Sequence, residues 1–232
     1  MNQFTNQDGI RIVFDLIEAI RENKQFLSDI DGAIGDGDHG VNMNKGFMLC
    51  QEELQANPGD LAHGLRTLSK ILIMKIGGSM GPLYGTFFKS MATASDGVNI
   101  IDAAVFGKML ASGREGIQRI SNATPGDKTL MDVLLPAEAA YREAVELGEP
   151  FQACLRKMTA ASRQGRDATR DMVAKVGRSS RLGERSRGVI DAGAASCCLI
   201  LETMAGSIGR LLLDVSQRTQ EGQEVGRREE IG

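Results

Sequence analysis

Apolar residues recur at helical spacing along almost the whole chain. Ile10, Val13, Phe14 and Ile17 follow an i, i+3, i+4, i+7 pattern, and this stripe reaches Leu27. The same periodicity predicts seven more helices, at about 42–57, 61–76, 82–95, 101–120, 128–147, 151–175 and 194–214. No segment alternates with period two for long enough to predict a strand. The pattern therefore predicts an all-α single domain of about eight amphipathic helices.

The last part of the sequence differs from the rest. From Ser216 onward the residues are mostly Gln, Glu, Arg and Gly. Such a segment predicts a frayed helix end or a mobile tail. We therefore expect a domain over residues 1–215, followed by a polar tail over 216–232.

Composition excludes several classes of function. The 232 residues carry a net charge of −3, contain no Trp and are only 4% aromatic, which disfavours binding to nucleic acid. The longest apolar runs are short and the N-terminus lacks a basic and then apolar stretch, so we expect neither a membrane span nor a secretory signal. The four cysteines form no Cys-x-x-Cys pair. They predict buried thiols rather than zinc ligands or disulfides, and a cytoplasmic protein.

The connection from Asp29 to Gly40 is long for a helical bundle and rich in Asp and Gly. Asp31, Asp36 and Asp38 offer three hard oxygen donors within eight residues, and the glycines between them allow a tight fold around a cation. Mg²⁺ with phosphate oxygens completing its shell suits this set. The alternative is a solvated acidic turn.

Three further segments carry candidate chemistry. Gly77–Gly85 is a glycine-rich turn before a helix, which suits either a phosphate or close helix packing. Pro125–Asp132 is a turn and helix start, where Asp127 or Thr129 would act as a cap and Lys128 could face an anion. The segment 177–193 places Arg178, Arg181, Arg185 and Arg187 either against phosphates or in a solvated network with Glu184. Together with the acidic loop, these segments suit a Mg²⁺–nucleotide and phosphoryl transfer.

With these motifs the sequence resembles the nucleotide-binding L subunit (DhaL type) of dihydroxyacetone kinases. The matching segments are 31–47, 77–88, 125–129 and 177–193, in the order of that family. The resemblance implies an eight-helix antiparallel barrel with a nucleotide, ADP or ATP, and Mg²⁺ on its rim. It implies that the metal ligands, which act in catalysis through the metal, are Asp31, Asp36 and Asp38. The implied nucleotide contacts are His39, Gly40, Val41, Asn42, Ser79, Met80, Ser121, Leu130, Arg178, Asp191, Ala192 and Gly193.

Among the implied nucleotide contacts, His39 could take part in chemistry, whereas Met80 and Leu130 could not. His39 beside the aspartates suits a general base, a phosphoryl acceptor or a nucleotide contact. No sequence segment supplies a third group that would orient it for nucleophilic work, and the resemblance favours the nucleotide contact. Met80 and Leu130 are apolar, so we expect them to contact adenine or ribose rather than take part in chemistry.

The resemblance implies a kinase subunit that presents a phosphate to a short-chain ketose, which a partner K subunit holds. Four alternatives stay open: a subunit for four-carbon ketoses such as erythrulose, a version whose tightly bound ADP is rephosphorylated by a phosphotransferase-system protein, a nucleotide-sensing regulatory module, and a metal-dependent phosphatase. Assembly as a homodimer also stays open.

Overall fold

The computed structural model describes the backbone of residues 3–229 and the side chains of residues 3–215. Within this part of the chain, nine α-helices and two 3₁₀ helices alternate with short connections. The α-helices are α1 (Ile10–Glu22), α2 (Lys24–Ile34), α3 (His39–Ala56), α4 (Leu61–Lys75), α5 (Met80–Ser95), α6 (Ala103–Gln118), α7 (Met131–Glu146), α8 (Phe151–Ala168) and α9 (Ala192–Glu229). The 3₁₀ helices are Thr169–Asp171 and Ser179–Ser186.

Eight of the helices form a closed ring. Helix α1 packs against α3, each helix from α3 to α9 packs against the next, and α9 returns to α1. Helix α2 lies outside this sequence of contacts and packs mainly against α3 and α9. The apolar stripes meet inside the ring, where Phe47, Phe88, Leu65 and Leu201 are fully buried. The predicted all-α single domain is confirmed.

The first predicted helix is two helices. Asn23 leaves helical geometry with φ −98° and ψ 8°, and its side-chain Nδ2 donates to the carbonyl of Ala19 at 2.8 Å. Asparagine competes in this way for backbone acceptors, so it ends α1 although the apolar stripe continues into α2. This break gives nine α-helices where about eight were predicted.

A short two-stranded antiparallel sheet was not predicted. Gln3–Thr5 pairs with Ile100–Asp102, with Phe4 opposite Ile101. Three residues are too few for a period-two pattern to stand out in the sequence. The sheet places the two fully buried side chains Phe4 and Ile101 in the core at one end of the ring.

Helix α9 is the longest element and begins inside the core. By length and composition, its segment Ala192–Val215 is apolar enough to cross a membrane, with a mean hydropathy of 1.4. The short uninterrupted apolar runs in the sequence did not predict this. A core helix of a soluble protein passes the same test, and 56% of the 18-residue window that passes it is buried in the protein. Beyond it, the polar segment predicted from Ser216 continues α9 to Glu229. The boundary between domain and tail stays a prediction, and residues 230–232 lie outside the described residues.

Candidate nucleotide and metal site

Four helices begin around one cavity of about 760 Å³. Their first residues, His39 of α3, Met80 of α5, Met131 of α7 and Ala192 of α9, all line it. The first N–H groups of a helix have no partner within the helix and carry partial positive charge. Four such ends around one cavity suit a multiply charged anion such as a nucleotide phosphate.

The acidic end of the cavity holds the three predicted aspartates. Asp31 lies in the last turn of α2, and Asp36 and Asp38 lie in the loop between α2 and α3. One carboxylate oxygen from each can be chosen so that the three lie within 4.8 Å of one another. Gly35 permits this arrangement, since a Cβ at Gly35 would lie 2.5 Å from the Asp31 carboxylate. Gly37, with φ +75°, makes the turn between the other two aspartates.

These three carboxylates fit a hard divalent cation. Mg²⁺ is commonly held by a few carboxylates together with waters and phosphate oxygens. In this structure the guanidinium of Arg178 supplies the positive charge, pairing with Asp36 and lying 3.7 Å from an oxygen of Asp38. The side chains of Arg178, Asp36 and Asp38 are each about half exposed, so this pairing is open to exchange with an incoming cation.

The structure brings all but two of the predicted site residues to this cavity. Those that line it are Asp31, Asp36, Asp38, His39, Asn42, Ser79, Met80, Ser121, Leu130, Arg178, Asp191, Ala192 and Gly193. Gly40 does not line it; a Cβ there would lie 2.0 Å from the Lys24 carbonyl, so Gly40 serves the close packing of α3 on α2. Val41 also lies outside the cavity wall, and its side chain is 48% exposed. Gly40 and Val41 could therefore contact a ligand only through their backbone at the start of α3.

His39 has orienting partners that the sequence did not reveal. Its Nε2 lies 2.9 Å from the Ser196 hydroxyl, which lies 2.6 Å from the Tyr84 hydroxyl. Both hydroxyls are within 3.1 Å of the Gly193 carbonyl, which can accept from either. Burial lowers the pKa of His39 to about 4, although nearby Asp31 acts in the opposite direction. The sequence did not predict these partners, because they come from α5 and α9.

The start of α9 is organised by Asp191. Its Oδ2 accepts a hydrogen bond from the N–H of Ala194 at 2.7 Å, which caps the helix. Burial raises the pKa of Asp191 to about 7, while this hydrogen bond and Lys128 act in the opposite direction. A Cβ at Gly193 would lie 3.0 Å from the Asp191 carboxylate, so a glycine at this position leaves the cap and the cavity wall unobstructed.

One wall of the cavity is apolar, and the sequence did not reveal most of it. It is formed by Ile73, Pro82, Leu83, Ile117, Ile120 and Val176 together with the predicted Met80 and Leu130. Ile73 and Ile120 are 45% and 51% exposed. Exposed isoleucines near helix ends indicate a ligand-binding surface only when it is known which face of each helix lies toward the cavity. Such a wall suits the flat apolar face of a nucleobase.

The glycines of the glycine-rich turn have two kinds of surroundings. Gly77 and Gly78 have open space around them, line the cavity and form the turn, with φ +72° at Gly78. Gly81 and Gly85 instead allow close helix packing, since a Cβ at Gly81 would lie 2.2 Å from the Ile76 carbonyl. The turn therefore provides exposed backbone beside the cavity, and the helix behind it fits tightly against α4.

Lys128 lines the cavity, but its ammonium group donates to backbone carbonyls. Its side chain is buried and its Nζ donates to the carbonyls of Met172, Ser186 and Val189. The predicted cap at Asp127 is wrong: its carboxylate accepts from the N–H of Thr124, which precedes it, and the N-cap position of α7 is Leu130, without a side-chain cap. The Thr129 hydroxyl accepts from the N–H of Met131, the first residue of α7. Because Lys128 has φ +62°, α7 begins at Met131 and not at 128 as predicted.

The arginines predicted to bind phosphate separate into two groups. Arg178 and Arg181 line the cavity. Arg185 is exposed, and Arg187 pairs with Glu184 and donates to the Asp171 carbonyl.

The four free cysteines are all buried, as predicted.

Comparison with known proteins agrees with this geometry. Residues 33–206 match the DAK2 domain family. The chain is 38% identical over 84% of its length to the PEP-dependent dihydroxyacetone kinase 1, ADP-binding subunit DhaL, of Listeria innocua, and covers 93% of that protein. It is 34% identical to the corresponding ADP-binding subunit DhaL of Escherichia coli, over 78% of this chain and 87% of that one. The chain therefore belongs to the DhaL family, whose members carry the DAK2 domain.

More distant matches are longer proteins. The D-erythrulose kinase of Mycolicibacterium smegmatis is 31% identical over 86% of this chain, which covers 36% of that protein. The crystal structure of the dihydroxyacetone kinase of C. freundii superimposes with a TM-score of 0.65 at 21% identity, and this chain spans 34% of it. The same enzyme in complex with AMP-PNP and Mg²⁺ superimposes with a TM-score of 0.62 at 20% identity. These structures support the fold of the helical ring.

Proposed function

We propose that this chain is the nucleotide-binding subunit of a dihydroxyacetone-type kinase and presents the phosphate of a Mg²⁺–nucleotide to a ketose held by a K-type partner subunit. The observation that carries the proposal is the convergence of three carboxylates, four helix N-termini and an apolar wall on one cavity. The cavity volume of about 760 Å³ lies within the range of small-molecule sites. The kinase subunits of the same family, named for ADP binding and for dihydroxyacetone kinase, support the same function.

The acidic end would hold the metal through Asp31, Asp36 and Asp38. A bound Mg²⁺ neutralises phosphate charge and orients the phosphate oxygens. Residues at the starts of α3 and α9 line the same cavity, and free backbone N–H groups at these helix starts would donate to phosphate oxygens. Arg178, released from Asp36, would add a cation beside the phosphates.

The apolar residues of the cavity would hold the base. Ile73, Leu83 and Ile120 present apolar surface to the cavity, and Met80 and Leu130 expose only a small part of their side chains. Contact with an aromatic base would remove this surface from water, which favours binding. The cavity thus offers charged groups for the phosphates and apolar side chains for the base.

The nucleotide is proposed to act as a retained ADP cofactor that a phosphoryl-donor protein of the phosphotransferase type recharges. This proposal is supported by three relatives that this chain covers over nearly their whole length. They are described as PEP-dependent or PTS-dependent and as ADP-binding. ATP as a freely exchanging substrate, and erythrulose as the ketose, are the competing versions. They differ in donor and acceptor, while the site on this chain is the same.

Native mass spectrometry of the purified protein, followed by a transfer assay, tests the proposal. We expect a mass increment for ADP with Mg²⁺ that survives dialysis, and product from dihydroxyacetone only when a K-type subunit is added. Protein without bound nucleotide that also fails to bind added Mg²⁺–ADP would contradict the proposed site. Retained ADP without transfer to any ketose would instead favour a nucleotide-sensing module.

A further inference from the structure

Lys128 joins two loops beside the cavity through a single ammonium group. Its Nζ donates to the Ser186 and Val189 carbonyls, each at 2.6 Å, and to the Met172 carbonyl at 3.2 Å. The side chain is 1% exposed, and among the described residues Lys128 has the one non-glycine φ in the left-handed region, at +62°. A buried ammonium whose three donors all meet backbone acceptors, on a strained backbone, is a costly arrangement that needs surrounding structure to maintain it.

The three carbonyls that accept from the Lys128 ammonium belong to one loop. We call residues 172–190 the arginine loop; it carries Val176–Arg181, of which Val176, Gly177, Arg178, Ser179 and Arg181 line the cavity. Met172 begins this loop, while Ser186 and Val189 lie near its end. The ammonium therefore draws both stems of the loop to one point, directly before Asp191 and the start of α9.

Other hydrogen bonds also close the stems of the loop. The Ser186 hydroxyl accepts from the N–H of Ala174 at 2.9 Å, and the N–H of Gly188 donates to the Arg170 carbonyl at 2.7 Å. The turn that carries Lys128 is itself fixed by Asp132, whose two oxygens accept from the N–H groups of Gly126 and Thr129. Lys128 is thus attached to a rigid turn at one end and to the loop at the other.

We propose that Lys128 is a positioning residue for the nucleotide site: its ammonium closes the arginine loop so that Arg178 and Asp191 face the cavity. This role does not need contact between Lys128 and the ligand. It rests on the proposed function only where nucleotide binding serves as a readout, since the order of the loop can be measured without a nucleotide.

Hydrogen exchange and chemical rescue test this role. Lys128→Met keeps the apolar stem and removes the three donors. We expect faster exchange across 172–190, unchanged exchange in α4 and α5, and at least about tenfold weaker Mg²⁺–ADP binding, because Arg178 would no longer be held where it can make a charge-assisted hydrogen bond to a phosphate. Lys175→Met is the matched control, because Lys175 is largely exposed and pairs with Asp127 of the same turn. It should behave like wild type in both measurements.

Lys128→Gly distinguishes the effect of the ammonium group from the effect of the backbone strain. Glycine adopts φ +62° without cost and leaves a channel with the length of n-butylammonium. We expect n-butylammonium to restore protection of the arginine loop and part of the affinity, and n-butanol to restore neither. Rescue is a gain that a merely weakened core would not show.

Several results would overturn the proposal. Wild-type exchange and affinity in Lys128→Met, or losses equal to those of Lys175→Met, would mean that the ammonium positions nothing. Faster exchange throughout α4 and α5 would make Lys128 a general stability residue. Failure of n-butylammonium to protect the loop of Lys128→Gly would show that the carbonyls do not require the cation. If wild-type protein fails to bind Mg²⁺–ADP, the proposed function fails, while the exchange and rescue results still decide the role of Lys128.

Discussion

The imidazole of His39 and the hydroxyl of Ser196 lie 2.9 Å apart, although 157 positions separate them in the chain. His39 opens α3, and Ser196 lies in the second turn of α9. The contact joins two helix N-termini at the cavity, and Tyr84 of α5 extends it through the Ser196 hydroxyl. It orients the ring through Nε2.

Replacing Ser196 by Ala should release this ring. The lost hydrogen bonds should weaken Mg²⁺–ADP binding by about 0.5–1.5 kcal/mol, measured by calorimetry. The ¹⁵N spectrum of the imidazole should change from one tautomer to a mixture, and with only two histidines in the chain a His63 variant assigns it. Ser207→Ala is the control, because that buried hydroxyl on α9 has no hydrogen-bond partner in the described part of the protein. Equal affinities and spectra for the Ser196 and Ser207 variants would refute an orienting role.

Arg178 and Arg187 should differ in their effects on nucleotide binding. Arg178→Ala removes the cation beside the phosphates and should weaken Mg²⁺–ADP binding by about 1.5–3 kcal/mol. Arg187→Ala removes an exposed charge that pairs with Glu184 and should cost less than about 1 kcal/mol. In contrast, Mn²⁺ binding to nucleotide-free protein, followed by electron paramagnetic resonance, should be tighter in Arg178→Ala, because the guanidinium no longer pairs with Asp36. Equal nucleotide affinities for the two variants would show that Arg178 does not reach the phosphates.

Asp191 should make stability depend on pH. Burial raises the pKa of this carboxyl to about 7, from 3.8 in an unperturbed aspartate. Its protonated form stabilises the fold, so the contribution is fully present below pH 3.8 and is lost as the pH rises through 7. Asp191→Asn keeps an acceptor for the cap but cannot ionise. The unfolding free energy of wild type minus that of the variant should therefore fall between about pH 4 and pH 7, by at most about 1.4 kcal/mol per pH unit. Urea unfolding checks this, and a difference that stays flat or rises would contradict burial as the dominant influence on this carboxyl.

The isolated chain should not phosphorylate dihydroxyacetone. Its cavity provides partners for a nucleotide and a cation, and positioning of the acceptor supplies much of the rate of such a transfer. We expect product, followed by ³¹P spectroscopy, only after addition of a K-type subunit. The same chain should leave p-nitrophenyl phosphate intact. Turnover of the ketose without a partner would remove the need for a second subunit, and hydrolysis of the ester would favour the phosphatase alternative.

Periodicity and local motifs predicted much of this molecule. The helical class of the fold, the buried cysteines and the grouping of Asp31, Asp36 and Asp38 depend on short-range patterns that a sequence displays directly. Contacts between distant segments were missed. The partners of His39 come from two other helices, and Lys128 is held by carbonyls, which every residue carries and which therefore leave no mark in a sequence. Its positive φ was equally invisible, because such backbone geometry is associated with glycine.

A calorimetric titration of ADP with and without Mg²⁺ tests the central claim, that the three aspartates and the helix N-termini form one Mg²⁺–nucleotide site. It compares wild type with Asp36→Asn and with Asp29→Asn, because Asp29 is an exposed residue of α2 that accepts a hydrogen bond from Gln25. We predict that Mg²⁺ strengthens ADP binding to wild type and to Asp29→Asn, and that Asp36→Asn loses at least about tenfold in affinity. The same affinity in all three proteins, with or without Mg²⁺, would contradict the account.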